Sequence, residues 1–171
     1  MNITCPHCQQ AFEWLANLSA KGLLAISENV LVQVHDTRTQ ALISEQSIHN
    51  MVTNSGLQFI RDLIDETQQG CTHFATGTDL SATVIEHTAL GAEVYRNAIS
   101  SRVKVDFEIT QRCFIPPSSA NGNTLYEAGL FNSADTTPGQ STLFSRVVHD
   151  AIVKTISNTV TYSWTHTIGR A

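Results

Sequence analysis

Thr159-Val160-Thr161-Tyr162-Ser163-Trp164-Thr165-His166-Thr167-Ile168 alternates without a break between large side chains and small hydroxyls. Successive side chains of an extended strand point to opposite faces. Val160, Tyr162, Trp164, His166 and Ile168 therefore share one face, and Thr161, Ser163, Thr165 and Thr167 share the other. The first face predicts burial against a core. The second carries hydroxyls and no charge, whereas an exposed edge strand normally carries Lys or Glu against stray pairing. The segment is thus expected to be a central strand of a sheet, or a strand under a neighbouring subunit.

The same rhythm extends upstream. Val103, Val105, Phe107 and Ile109 alternate with Arg102, Lys104, Asp106 and Glu108, which predicts one half-buried strand. Pro116-Pro117 and the stretch 118–123 end it in a loop, and Leu125 to Phe131 and Thr142 to Val148 read as two more strands around the polar loop 132–141. Val30-Leu31-Val32-Gln33-Val34, the turn Asp36-Thr37-Arg38-Thr39 and the return from Ala41 to Ile48 read as a hairpin. One helix is expected near 54–67. Thr53 or Asn54 caps it, Leu57, Ile60, Leu63 and Ile64 form its apolar face, and Gly70 lies beyond its end. Short strands at close spacing with a single helix predict a mainly β fold, an antiparallel β-sandwich with one packed α-helix. The expected organisation is an N-terminal arm at 1–29 followed by the sandwich at 30–171.

Charged residues form 15% of the 171 residues and hydrophobic ones 42%, so the polar surface rests on Ser, Thr, Asn and Gln. Uncharged faces of that kind dock with little desolvation cost. The formal net charge is −5 with no run of Lys or Arg, which argues against a nucleic-acid partner, since phosphate binding needs a cationic footprint. No apolar stretch approaches the roughly 20 residues of a membrane span, and the first residues lack the basic start and apolar core of a signal peptide. The chain reads as soluble and made in the cytoplasm.

The chemical signal is Cys5-Pro6-His7-Cys8. Two thiolates at this spacing can share one zinc ion, but a structural site takes four ligands. Cys71 and His73, with His7, are the candidates within the chain to complete the set; otherwise a second subunit supplies them, or the thiols are simply free. Structural zinc is thus the one cofactor the sequence raises. Phe12, Trp14, Leu15 and Leu18 give the arm an apolar side suited either to a partner surface or to its own domain. The chain has no phosphate-binding glycine loop, dinucleotide fingerprint, H-E-x-x-H or G-x-S-x-G, so no catalytic residues are assigned. His35-Asp36 and His149-Asp150 are neighbours along strands and point to opposite faces. Glu127 is either a surface residue or a buried partner of Arg96 or Arg146. The loops 118–123 and 132–141 lack the aromatic tips that a glycan-binding sandwich would show.

Several segments taken in order resemble a group of small virion structural proteins of tailed bacteriophages. They are Val34-His35-Asp36-Thr37-Arg38-Thr39, His49-Asn50-Met51-Val52-Thr53-Asn54-Ser55-Gly56-Leu57, His73-Phe74-Ala75-Thr76-Gly77-Thr78 and Thr88-Ala89-Leu90-Gly91-Ala92-Glu93-Val94-Tyr95-Arg96. Glu127-Ala128-Gly129-Leu130-Phe131-Asn132, Thr142-Leu143-Phe144-Ser145-Arg146-Val147-Val148 and Val160-Thr161-Tyr162-Ser163-Trp164-Thr165 complete the series. The resemblance covers roughly 30–171, and the turn Asp79-Leu80-Ser81 departs from the group's glycine- and threonine-rich pattern. It implies a non-enzymatic virion protein that assembles with copies of itself and with the major capsid protein, as a decoration or cement subunit. The alternative it leaves open is a tail, baseplate or fibre-adaptor component bound to tail proteins.

Overall fold

In the computed structural model, residues 24–64 and 70–170 are described. The strands are β1 (Leu24–Asp36), β2 (Leu42–His49), β3 (Met51–Val52), β4 (His73–Gly77), β5 (Glu93–Ala98), β6 (Ser101–Val105), β7 (Glu108–Ile115), β8 (Thr124–Phe131), β9 (Leu143–Val153) and β10 (Asn158–Arg170), with the helix α1 (Asn54–Ile64) after β3. They form two five-stranded sheets: sheet A in the order β2-β1-β10-β7-β6, and sheet B in the order β3-β9-β8-β4-β5. Every strand pair is antiparallel. The described residues are therefore mainly β, an antiparallel sandwich with one packed helix.

Alternation builds the core. Val30, Val32 and Val34 of β1, Val160, Tyr162 and Trp164 of β10, and Cys113 and Ile115 of β7 point inward from sheet A. Phe74, Leu125, Ala128, Leu130, Val147 and Ile152 meet them from sheet B. Tyr162 and Trp164 stack with ring centroids 5.7 Å apart, and both are fully buried. The β10 segment is the central strand of sheet A.

Three expectations change. First, β1 starts at Leu24, because β10 continues to Arg170 and offers a partner for each residue from Leu24 onward. Residues 24–29 therefore belong to the sandwich and not to the arm. Second, the segment from Val103 to Ile109 is not one strand. It turns at Asp106-Phe107, where Asp106 adopts φ 49°, and Val105 pairs with Glu108 across the turn. Val103, Val105 and Phe107 are consequently exposed instead of half-buried.

Third, of the expected stripe Leu57, Ile60, Leu63 and Ile64, α1 packs Ile60 against the core and leaves the other three exposed. Gly56 and Phe59 are buried, while Leu57 is 56% and Ile64 78% exposed. The cause is the close approach of Gly56 to β9, where an added Cβ would lie 2.0 Å from the Phe144 carbonyl oxygen. That contact sets the helix's rotation, and Phe59 follows by packing edge-on to Phe144 at 5.7 Å. Thr53 caps the helix by accepting a hydrogen bond from the Gly56 amide at 3.0 Å. The expected continuation to 67 falls outside the described residues.

The first hairpin is as read. Asp36 Oδ1 accepts the amides of Arg38 and Thr39 at 3.0 and 2.7 Å, and Gln40 takes the positive φ that closes the turn.

Candidate functional site

The outer face of sheet A follows from the same register that fills its inner face. Across the strands it reads Glu45-Gln33-Thr161-Phe114, then Ser47-Leu31-Ser163-Arg112-Ser101, then His49-Asn29-Thr165-Thr110-Val103, then Ser27-Thr167-Glu108-Val105. The β1 and β10 positions in these rows carry no charge. Glu45, Glu108 and Arg112 stand to either side of that strip. Hydroxyls and amides bond laterally, with Thr110 and Thr165 Oγ1 3.0 Å apart and Ser47 Oγ donating to Asn29 Oδ1 at 3.2 Å. Their hydrogen-bonding capacity is partly spent within the sheet, which lowers the cost of removing water from them. Val103 and Val105 give the β6 margin apolar area at 53% and 59% exposure. Among the described residues, α1 packs on β9 and sheet B packs on the inner face, so this outer face has no covering element.

The outer face of sheet B is built the opposite way. Glu127 on β8 and Arg146 on β9 are 0% and 1% exposed, and Arg146 Nε donates to Glu127 Oε2 at 2.9 Å. Glu127 also accepts the amides of Ala92 at 2.8 Å and Gly91 at 3.1 Å. Arg146 reaches Asp79 Oδ2 at 3.1 Å and the Ser81 carbonyl at 2.9 Å. The irregular segment 78–92 is thus tied down by one buried ion pair. Gly77 is required there, since a Cβ would lie 2.3 Å from Glu127 Oε1. The amide of Ser81, with its hydroxyl and Arg146, holds the Asp79 carboxyl below the usual carboxylate range.

Arg96 does the equivalent for the loop 132–141. Its guanidinium lies 3.7 Å over the Phe131 ring and forks onto Glu93 at 2.8 and 2.7 Å. Its Nη1 donates to the Ser133 and Asp135 carbonyls at 3.0 and 3.1 Å and to Ser141 Oγ at 3.0 Å. Of the two arginines proposed as partners for Glu127, the structure therefore selects Arg146 and gives Arg96 to Glu93.

No protein-family model, curated protein or solved structure matches this chain. Function must be argued from these surfaces and from the sequence.

Cys5, His7, Cys8, Phe12, Trp14, Leu15 and Leu18 lie outside the described residues. Cys71 and His73 are placed two residues apart, at and just before the start of β4. Burial, with the charge of Glu28 nearby, pushes the Cys71 thiol up to about 12, so it is a protonated thiol at neutral pH. His73 Nδ1 is 2.8 Å from Thr72 Oγ1, and partial burial holds its pKa below the ordinary histidine value. Among the described residues, no three His, Cys, Asp or Glu side chains converge as metal ligands. His149 Nδ1 donates to the Asp150 carbonyl at 2.8 Å, and its Nε2 accepts the Tyr162 hydroxyl at 3.0 Å. Burial favours the neutral imidazole, the form in which Nε2 is the acceptor. Asp150 itself is exposed, so the neighbouring pair does face opposite ways as the strand alternation requires. The sequence gives no sign of the His149–Tyr162 contact, which arises only when β9 is laid across β10.

Proposed function

We propose that this protein is a non-enzymatic virion structural subunit of a tailed phage, binding the capsid surface as a decoration or cement protein through copies of itself and the major capsid protein. The observation that carries the reading is the charge-poor outer face of sheet A, uncovered among the described residues, on a well-packed sandwich. A face of laterally bonded Thr, Ser, Asn and Gln loses little on desolvation, and apolar margins add to what contact can contribute. A modest interface repeated around a shell sums to a large stabilisation at about 25 cal/mol per Å² gross. The ordered resemblance of 30–171 to small phage virion proteins supplies the assembly in which that contact is made. The segment 1–23, with the zinc-type pair Cys5 and Cys8, is the second contact element in this reading.

Quantitative mass spectrometry of purified virions of the encoding phage tests membership and position together. Hundreds of copies per particle is the expected result. A handful or a dozen moves the protein to the tail, as a baseplate or adaptor component. Absence from the particle ends the reading.

A further inference from the structure

β5 is an edge of sheet B, and a cleft of about 650 Å³ runs beside it. Residues 88–90 form one wall, residues 134–141 the other, and Glu93, Val94 and Arg96 belong to its floor. The amide of Ile99 donates to the Thr72 carbonyl at 2.9 Å, which sets the alternation of main-chain groups along the strand. Tyr95 and Asn97 turn their N–H and C=O toward β4, and Arg96 turns its own toward the open edge. Edges left open in this way are commonly guarded by an unpaired charge. Here Arg96 and Glu93 neutralise each other, and Val94 is 38% exposed. The far wall is pre-set, because Arg96 Nη1 holds the Ser133 and Asp135 carbonyls.

We infer that the β5 cleft is a docking site for an extended, uncharged polypeptide segment of a partner protein, which adds to sheet B as a sixth strand. The main chain of Arg96 gives the directional bonds, and the neutral floor sets the preference for Thr-, Ser- and Val-type side chains over charged ones. The inference rests on the reading of this protein as one that works through contact, and it names a second kind of contact besides the sheet A face.

The test is made in solution on the full chain, with the capped peptide acetyl-Thr-Val-Thr-Val-Thr-amide as probe and hydrogen exchange of the Arg96 amide as readout. Saturating peptide is expected to slow that exchange on the order of tenfold at about ten times Kd. The same peptide with Lys in place of Val should leave it unchanged. Ala134→Trp fills the cleft from an exposed loop, and Val94→Lys places a charge on the edge; each should abolish the slowing while the thermal midpoint stays near wild type. Exchange at Arg96 that is unaffected up to the solubility limit of the peptide overturns the inference, as does equal slowing in Ala134→Trp. Because no particle is involved, a positive result would survive even if the chain proved absent from virions, and a negative one would leave the copy-number test standing.

Discussion

The two sheets share one core and treat their outer faces in opposite ways. Sheet B is finished by its own chain: residues 78–92 and 132–141 close over it, held by Arg146–Glu127 and by Arg96. Among the described residues, sheet A is left bare over β1 and β10, with hydroxyls and amides bonded sideways to one another. The chain has only 10 basic and 15 acidic residues, and it commits two of its arginines to the covered sheet. A buried charge is tolerated only when its partners are in place. The covered face therefore depends on a few irreplaceable contacts, and the bare face depends on none. Substitutions should separate the two: large losses of stability on one side, and on the other changes in association with the fold intact.

The largest effect is expected at Glu127. Glu127→Ala removes the fully buried partner of Arg146, leaving it Asp79 at the half-exposed end, and strands two amides inside the protein, at a cost of about 3–5 kcal/mol. Urea unfolding measures it. Replacing both partners together, Glu127→Leu with Arg146→Met, should cost clearly less than Glu127→Ala alone, because no uncompensated charge remains. A single variant within about 1 kcal/mol of wild type would mean that segment 78–92 is held by something else.

Gly56→Ala comes next. Its Cβ would sit 2.0 Å from the Phe144 carbonyl oxygen, so α1 must move off β9, at a cost of roughly 1–3 kcal/mol by the same unfolding measurement. His149 should give a smaller, pH-dependent effect. Burial lowers its folded-state pKa, so on acidification the unfolded chain takes up this proton first. Its contribution to stability is complete above the unfolded value of 6.5 and is lost as pH falls from there through the lowered folded-state pKa. His149→Gln, which keeps an acceptor for Tyr162, should lose less stability than wild type between pH 7.5 and 5.5; an equal loss removes His149 as the cause.

How much of this was legible depended on whether period and chemistry agreed. The β10 alternation was readable because both faces are consistent over ten residues, and its uncharged face pointed to the surface now seen on sheet A. The turn at Asp106-Phe107 was hidden because Val103, Val105, Phe107 and Ile109 keep a two-residue spacing straight through it, although the turn puts Val105 on the same face as Glu108 and Ile109 on the other. The orientation of α1 was hidden because a glycine contact has no hydrophobic signature: Leu57 and Ile64 outweigh Gly56 in any pattern, yet a missing Cβ decides which side meets β9. Glu127 was half legible, as an acid inside an otherwise apolar strand. Its partner was not, since Arg96 and Arg146 are equivalent until the sheet order is known.

The smallest expected effect on the fold is the most informative about function. Thr165 lies at the centre of the bare face, half-exposed on the middle strand, with its hydroxyl 3.0 Å from that of Thr110. Thr165→Lys places a long charged side chain there without touching the core, so unfolding should change by no more than about 0.5 kcal/mol. A lysine in a docked face must be desolvated without a partner, and that penalty is several kcal/mol per contact. Sedimentation of the purified variant, with occupancy on particles stripped of the wild-type chain, should show an intact monomer that no longer binds. If Thr165→Lys occupies particles as wild type does, the bare face of sheet A is not the contact, and the β5 edge becomes the leading candidate.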